Sequence, residues 1–339
     1  MAANDLANFT TLGVGGPAAK LIRVKTEAEL ISAVKSADDS GEPLLIIGGG
    51  SNILVSDSGF AGTVIKVETS GNSFEIDACS GGTLTVSAGS DWDEFVAFTI
   101  EKGLANLESL SGIPGTVGGS PIQNIGAYGH EVSEVIARVR TFDRKQQEVK
   151  TFTASQCEFG YRSSIFKTQV NRYVILDVTF QLRIGEASLP IAYAELAKEL
   201  GVETGARVAI TKVRDAVLKL RSTKGMLLGE GIKSAGSFFI NPILEKNAAD
   251  KLPTEAPRWP MADGRIKTSA AWLMEHAGVS KGDQIAGAQI SPKHVLALSN
   301  AGDATAKDLI NLARSAQKKV HAKFGITLQT EVQLVGLSL

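Results

Sequence analysis

The sequence has few cysteines and no cluster of metal-ligating residues. Its two cysteines, Cys79 and Cys157, lie far apart and outside any CxxC pair. We therefore expect neither a disulfide framework nor a structural zinc site, and a reducing cytoplasm fits this composition best. The histidines His130, His276 and His321 show no ligand-like spacing, so we predict no metal site.

The sequence also lacks an excess of charge and a long apolar run. Lysine and arginine number 35 against 36 aspartates and glutamates, a net charge of -1, so nothing indicates nucleic acid or an anionic membrane as a partner. No apolar run approaches the ~20 residues of a membrane span, and the first residues do not resemble a signal peptide. With 339 residues, 43% of them hydrophobic, the chain has room for two or three domains. We expect a cytoplasmic monomer.

Periodicity predicts a mixed α+β chain. Thr26 begins a helix with a capping box, and Gly41 ends it. Thr305 and Gly325 bound a second helix in the same way. Strands are predicted for PLLII, TVIKV, SFEIDA, TLTVSAG, VIARVRTFD, QEVKTFT, RYVILDVTFQLR and LQTEVQLVG. Other helices are predicted within DWDEFVAFTIEKG, PIAYAELAKELG, ARVAITKVRDAVLKLRSTKG and SAAWLMEHAG.

Glycine is concentrated in two segments, Gly48 to Gly50 and the uncharged stretch GIPGTVGGSPIQNIGAYG from Gly112 to Gly129. Backbone amides in such turns can converge on an anion, because no Cβ blocks close approach. Ile113, Ile122 and Ile125 would supply apolar walls for a flat ring. A dinucleotide needs both features. A plain connecting loop is the alternative that the pattern leaves open.

Two familiar phosphate-binding patterns do not apply. Neither glycine segment matches GxxxxGK[ST], which excludes a P-loop. A GxGxxA match at Gly13, Gly15 and Ala18 follows no apolar strand, and Pro17 stands where a helix would begin. We therefore do not expect a Rossmann dinucleotide site there.

Four motifs in order carry a resemblance: GGGSNILVSD, SGIPGTVGGSPIQNIGAYG, CEFGYRSSIFK and GSFFINP. Together they closely resemble the UDP-N-acetylenolpyruvoylglucosamine reductases, over Asn8 to Gly336. The resemblance implies a vanillyl-alcohol-oxidase/PCMH-type FAD-binding fold of two α+β subdomains plus a third α+β domain for substrate. The implied parts are residues 1–67 joined by a C-terminal strand at 326–339, residues 68–220, and residues 221–325.

The resemblance also implies an activity and a cofactor. Members of this family reduce UDP-N-acetylglucosamine enolpyruvate to UDP-N-acetylmuramate in peptidoglycan precursor synthesis, using NADPH and noncovalently bound FAD. By this similarity the residues expected to line FAD are Gly48, Gly49, Gly50, Ser51, Asn52, Ile53, Ile113, Pro114, Gly115, Thr116, Gly118, Ser120, Gln123, Asn124, Gly126, Ala127, Tyr128 and Gly129. The side chains of Thr116, Ser120, Gln123, Asn124 and Tyr128 are its neutral donors.

Three residues match the family's catalytic positions. Arg162 in FGYRSS corresponds to the arginine that grips a carboxylate and stabilises the developing enolate. Ser237 in AGSFFINP corresponds to the proton donor. Glu331 in LQTEVQL corresponds to the active-site glutamate, although Thr330 stands where relatives often have proline. Without the motifs, each would read as an ordinary surface, turn or solvent-facing residue.

Five further residues match substrate-binding positions of relatives: Tyr161, Tyr193, Lys224, Asn241 and His294. Two other functions remain open. One is an FAD oxidoreductase of the same fold acting on an alcohol or hydroxy acid, which would need a proton acceptor rather than a donor serine. The other is a flavin- or nucleotide-binding module without turnover.

Overall fold

The computed structural model describes residues 3–77, 79 and 81–339. Contacts divide the chain into two compact units. The terminal unit comprises Met1–Pro17, Ser51–Phe60 and Leu228–Leu339, and the central unit comprises Ala18–Gly50 and Ala61–Leu227. The three-part division implied by the family resemblance stays a prediction.

Both units contain strands and helices. The strands are β1 Ala18–Val24, β2 Leu44–Ile47, β3 Ile53–Val55, β4 Phe60–Val67, β5 Asn72–Asp77, β6 Gly81–Ser87, β7 Leu104–Ala105, β8 Gly126–Ala127, β9 His130–Glu131, β10 Ile136–Asp143, β11 Glu148–Thr153, β12 Tyr173–Ile184, β13 Lys233–Ser237, β14 Ile243–Leu244, β15 Arg258–Pro260, β16 Ile266–Thr268, β17 Gln284–Ile285, β18 Ala288–Ile290, β19 Ala297–Asn300 and β20 Gln333–Val335. The α-helices are α1 Glu27–Ser40, α2 Trp92–Glu101, α3 Ile165–Thr168, α4 Ala194–Leu200, α5 Ile210–Thr223, α6 Lys246–Ala249, α7 Ala270–His276 and α8 Ala306–Phe324.

The central unit contains two principal sheets. One has the order β1-β4-β2, with β2 and β4 parallel. The other runs β11-β10-β12-β6-β5 with antiparallel neighbours, and β7 pairs with β12. Helix α2 packs on the larger sheet, where the rings of Trp92 and Phe95 lie 6.1 Å and 4.9 Å from that of Phe180. The strands predicted within SFEIDA and TLTVSAG are confirmed as the antiparallel pair β5 and β6. Those predicted within VIARVRTFD, QEVKTFT and RYVILDVTFQLR are confirmed as β10, β11 and β12.

Helix ends follow local capping chemistry where the sequence indicates it. Thr26 and Glu29 form the predicted capping box of α1, and Gly41 ends the helix in a left-handed conformation. Thr305 and Gly325 bound α8 in the same manner. These predictions are confirmed because the signals lie within the helices' own first and last turns.

The helix predicted within PIAYAELAKELG begins later than expected, at Ala194. Tyr193 is its N-cap residue and has an extended backbone. The preceding segment is extended because Ser188 and Ile191 donate backbone hydrogen bonds to Val208 and Ala206, at 2.8 Å and 2.9 Å. The same pairing keeps residues 206–208 out of α5. The prediction of helix at Tyr193 was therefore wrong.

The terminal unit contains the sheet β13-β19-β18-β17, the smaller sheet β14-β16-β15, and a parallel pair of β20 with β3. Phe238, Phe239, Leu273 and Leu309 lie in its core. Ala18 begins β1, a strand, at the point where a Rossmann motif requires a helix. Among the described residues, no helix is both long and apolar enough to cross a membrane.

Candidate functional site

In the central unit the two glycine-rich segments lie against each other. A Cβ added to Gly49 would lie 2.7 Å from the Cα of Gly115, and one added to Gly48 would collide with the hydroxyl of Thr116. Backbone atoms of the two segments can approach this closely only because both positions lack a side chain. The glycines after β2 therefore allow the segment that begins at Gly112 to pack directly against their backbone.

Several backbone amides where these segments meet are not used by the protein. In the described part of the chain, the N–H groups of Gly49, Gly50, Gly115 and Thr116 donate to no protein acceptor. Gly50 is buried. Because buried amides are rarely left unpaired, this arrangement indicates an acceptor from outside the protein. An anion with several oxygens, such as a pyrophosphate, satisfies that requirement.

Two of the expected side-chain donors instead hold the loop together. The Ser120 hydroxyl donates to the carbonyl of Val117 at 2.8 Å. The Asn124 amide donates to Glu131 Oε2 at 2.7 Å and to the carbonyl of Gly160 at 3.1 Å. Both side chains are buried. Their donor groups are thus used within the loop, and the expectation that Ser120 and Asn124 line the cofactor stays a prediction.

Arg162 is fixed to the same loop. Its Nη2 donates to the carbonyl of Gly126 at 2.7 Å, and its Nη1 donates to that of Asn124 at 3.3 Å. The guanidinium carbon lies 5.5 Å from the ring centre of Tyr161. The backbone of Arg162 is left-handed, with φ of 51°, a conformation uncommon for a side-chain-bearing residue. The structure therefore places Tyr161 and Arg162 beside the predicted cofactor segment.

Tyr128, Tyr193 and Lys224 form one cluster. The rings of Tyr128 and Tyr193 meet edge to face with centroids 5.9 Å apart, and Lys224 Nζ lies 5.9 Å from the Tyr128 ring centre. Glu195 accepts from Lys224 Nζ at 2.5 Å. Burial raises the pKa of Tyr128 to about 12, so its phenol is neutral at physiological pH. A predicted cofactor residue and two predicted substrate residues are brought together here.

In the terminal unit, Ser237 and Glu331 lie on neighbouring segments. Ser237 ends β13 and pairs with Ala297 of β19. The next residue, Phe238, accepts a hydrogen bond from the backbone amide of Glu331 at 2.8 Å and donates to the carbonyl of Leu296 at 2.8 Å. The buried side chains of Phe238 and Phe239 anchor this pairing in the core. Ser237 and Glu331 are both half-buried.

The other predicted residues of the terminal unit surround these two segments. Asn52 Nδ2 donates to the carbonyl of Glu331 at 3.2 Å. Asn241 Oδ1 accepts from the amide of Ala270, the first residue of α7, at 3.0 Å. The carbonyl of His294 accepts from the amide of Ala297 at 3.0 Å, so His294 lies in the turn that enters β19. These hydrogen bonds place Asn52 beside Glu331, Asn241 at the start of α7 and His294 just before β19.

The sequence reading missed the charged residues that support these segments. Asp93 and Arg221 bind the start of the glycine-rich loop at Gly112, and Arg214 binds Asp93. Glu195 pairs with Lys224. Arg214 and Arg221 are seven residues apart on a predicted helix, which places them on one face. That spacing was the only sign in the sequence that the two arginines act together, and no nearby residue indicates that they lie close to Gly112.

Two family models match this chain and define its class of protein. Residues 18–151 match the family model described as FAD binding domain, and residues 228–335 match the model described as UDP-N-acetylenolpyruvoylglucosamine reductase, C-terminal domain. The expected fold class, a PCMH-type FAD-binding α+β fold with a further α+β domain, is confirmed. This chain belongs to the UDP-N-acetylenolpyruvoylglucosamine reductase family, as the four motifs indicate.

Individual relatives cover almost the whole chain. It is 52% identical to UDP-N-acetylenolpyruvoylglucosamine reductase of Cutibacterium acnes, covering 98% of this chain and 90% of the relative. It is 48% identical to the enzyme of that name from Thermobifida fusca, covering 98% and 97%. The crystal structure of the Thermus caldophilus reductase is similar with a TM-score of 0.68 and 27% identity, covering 97% of each chain.

Proposed function

We propose that the protein catalyses the NADPH-dependent reduction of UDP-N-acetylglucosamine enolpyruvate to UDP-N-acetylmuramate, with noncovalent FAD as its resident cofactor. Its relatives bear the name of this reductase, and its two family matches are an FAD-binding domain and the reductase C-terminal domain. FAD, when bound, would carry hydride from NADPH to the enolpyruvyl group. The protein would act as a cytoplasmic monomer in peptidoglycan precursor synthesis.

The observation that supports FAD most directly is the group of unused amides at Gly49, Gly50, Gly115 and Thr116. Their donors lie where two glycine-rich segments meet, so an anion can reach the backbone closely. The predicted residues that remain suited to FAD are those of the loop backbone, together with the apolar side chain of Ile113. The donors of Ser120 and Asn124 would shape the loop rather than touch the cofactor.

Arg162 would orient the substrate's carboxylate. The two carbonyls that it contacts, those of Asn124 and Gly126, fix the plane of the guanidinium. A fixed cation costs no reorganisation when negative charge develops on the substrate. We therefore assign to Arg162 the stabilisation of the enolate that forms when the terminal carbon is reduced.

Ser237 would deliver the proton to the carbon next to the substrate carboxylate. A serine hydroxyl is a weak acid, so it can act only beside strong developing negative charge and must be reprotonated. Glu331 would assist at the same reaction. The hydrogen bond between the backbones of Phe238 and Glu331 supports these roles, because it fixes the backbone of Glu331 and of the residue next to Ser237.

Tyr193 and Lys224 would bind the UDP portion of the substrate. Tyr193 is exposed, and its ring packs edge to face on that of Tyr128, so the side chain is held where a ligand can reach it. Lys224 carries a positive charge beside it, as a diphosphate requires. Tyr161, Asn241 and His294 would supply further polar contacts to the substrate.

The visible spectrum and cofactor content of the purified protein test this proposal. We expect a yellow protein that releases FAD on denaturation. It should oxidise more than one equivalent of NADPH per flavin only when UDP-N-acetylglucosamine enolpyruvate is added. A colourless protein that cannot be reconstituted with FAD would refute it. Oxygen consumption with small alcohols, without any response to the UDP-sugar, would support the oxidase alternative instead.

A further inference from the structure

Two charged side chains hold Gly112, the first residue of the glycine-rich loop, from opposite sides. Asp93 Oδ1 accepts from the amide of Gly112 at 2.6 Å, and Arg221 Nε donates to the carbonyl of Gly112 at 2.9 Å. Arg214 holds Asp93 through two hydrogen bonds, at 2.7 Å to Oδ1 and 2.8 Å to Oδ2. The backbone of one glycine is thus bound on both its donor and its acceptor.

Residues at the start of α2 also form hydrogen bonds with the chain on both sides of Gly112. Trp92 Nε1 donates to the carbonyl of Leu110 at 3.0 Å, and its backbone amide donates to the carbonyl of Gly115 at 3.1 Å. The amide of Val117 donates to the carbonyl of Ser90 at 2.9 Å. Together with Asp93 these contacts fix the path of the chain just before the unused amides of Gly115 and Thr116.

Both the backbone conformation and the packing at position 112 require glycine. Its φ is 69°, and an added Cβ would lie 2.7 Å from the Leu227 side chain and 2.9 Å from that of Leu218. Burial raises the pKa of Asp93, but hydrogen bonds from Arg214 and from the Gly112 amide outweigh it and hold the pKa below its usual value. Asp93 is therefore an anion, which makes its bond to the amide a strong one.

We infer that Asp93 is a positioning residue for the cofactor: by fixing Gly112 it preorganises the loop amides that receive the FAD pyrophosphate. Arg214 keeps the Asp93 carboxylate in place, and Arg221 holds the other side of the glycine. The inference rests on the proposed function, since it takes FAD as the ligand of this loop. Preorganised donors bind more tightly because less conformational freedom is lost on binding.

The test compares Asp93→Ala with Asp143→Ala. Asp143 is a suitable control because it is a buried carboxylate of the same unit that also accepts hydrogen bonds from an arginine side chain and from backbone amides. Arg172 donates three hydrogen bonds to it, and the amides of Lys145 and Gln146 donate one each. It lies at the end of β10, in a turn that carries none of the predicted site residues. Affinity is measured by titrating flavin-free protein with FAD and following FAD fluorescence, and stability by thermal unfolding.

We expect Asp93→Ala to bind FAD about tenfold to a hundredfold more weakly than the parent, as the loss of a hydrogen bond to a charged group predicts. Asp143→Ala should lose stability but keep the parent's FAD affinity. Amide hydrogen exchange should accelerate over residues 107–117 in the first variant alone. Arg214→Leu, which leaves Asp93 itself in place, should show the same changes to a smaller degree and serves if Asp93→Ala does not fold.

Equal FAD affinity in the parent and in both Asp93→Ala and Arg214→Leu would overturn the inference. An equal loss in Asp93→Ala and Asp143→Ala at equal loss of stability would also overturn it, because the effect would then be general destabilisation. A parent protein that binds no FAD would instead refute the proposed function on which the inference rests.

Discussion

The ring of Tyr193 meets the ring of Tyr128 edge to face, with centroids 5.9 Å apart and an interplanar angle of 85°. Tyr128 belongs to the glycine-rich loop, whereas Tyr193 caps α4, a helix whose second residue, Glu195, pairs with Lys224. A Cβ added to Gly129 would lie 2.8 Å from the Cβ of Ala192, so the backbone of Gly129 also packs against the Ala192 side chain. The predicted cofactor segment and the predicted substrate segment are thus packed together.

Tyr193→Phe should therefore raise the KM for the UDP-sugar more than it slows flavin reduction by NADPH. The change removes one hydroxyl but keeps the ring contact with Tyr128. A hydrogen bond to the substrate is worth about 0.5–1.5 kcal/mol, which corresponds to a KM rise of about two- to twelvefold. Steady-state kinetics checks the KM, with Tyr173→Phe as the control. Unchanged substrate kinetics would show that Tyr193 does not touch the substrate.

Substituting glycines of the loop should reduce FAD binding where the glycine is closely packed and leave it unchanged where the position is open. In Gly126→Val the new Cβ would lie 2.8 Å from the carbonyl oxygen of His130 and 3.0 Å from Arg162 Nη1, so FAD retention should fall. Gly119→Ala is the control, because its Cβ would meet only Thr116 Oγ1 at 3.9 Å. The FAD-to-protein ratio of the purified variants checks this. A folded Gly126→Val protein with normal flavin content would remove Gly126 from the site.

Ser237→Ala should separate the two half-reactions. The substitution removes little volume and leaves the pairing of Phe238 with Glu331 in place. Reduction of bound flavin by NADPH should proceed at a near-normal rate, while reoxidation by the UDP-sugar should slow by about 10²–10⁴-fold, the usual contribution of a general acid. Stopped-flow absorbance follows each step, and Ser234→Ala is the control on the same strand.

Either of two results would withdraw the assignment of Ser237. Reoxidation as fast as in the parent would show that the hydroxyl is not the proton source. Equal failure of both half-reactions would show that Ser237 supports the structure or the flavin site instead.

His130 should make the stability of the central unit depend on pH. Its Nδ1 lies 3.0 Å from Glu134 Oε2, and this carboxylate raises the pKa of His130 above its ordinary 6.5, with smaller contributions from the Pro190 carbonyl and Glu108. The folded state therefore favours the protonated ring. This stabilisation is complete below 6.5 and is lost as the pH rises through the raised folded value.

Denaturant unfolding of the parent and His130→Gln at several pH values checks the sign. The stability difference between them should be largest at acidic pH and shrink in alkaline solution. A difference that grows as the pH rises would contradict the pairing with Glu134.

The features that could be predicted from the sequence are those whose causes are local. The capping pairs Thr26 with Glu29 and Thr305 with Asp308 lie within single helical turns, and both helices begin where these signals stand. The glycine segments could be recognised because their composition and motifs are contiguous. The contact between Gly49 and Gly115 joins residues far apart in the chain, so it could be seen only in the structure.

The features that could not be predicted depend on partners distant in sequence. Tyr193 lies outside its helix because residues 188–191 pair with residues 206–208, which no local pattern announces. Asn124 looked like a donor to a ligand, but Glu131 and Gly160 use its amide group. Asp93 looked like an ordinary residue of a helix's first turn, and its bond to Gly112 emerged only in three dimensions.

The most direct test of the proposed activity is the product formed from UDP-N-acetylglucosamine enolpyruvate. The purified, FAD-loaded protein is incubated with this substrate and NADPH, and the UDP-sugar is analysed by mass spectrometry while NADPH oxidation is followed by absorbance. We predict a product heavier by two hydrogen atoms that coelutes with UDP-N-acetylmuramate, formed in a one-to-one ratio with the NADPH consumed. An unchanged substrate in the presence of FAD-loaded, folded protein would contradict the proposed function.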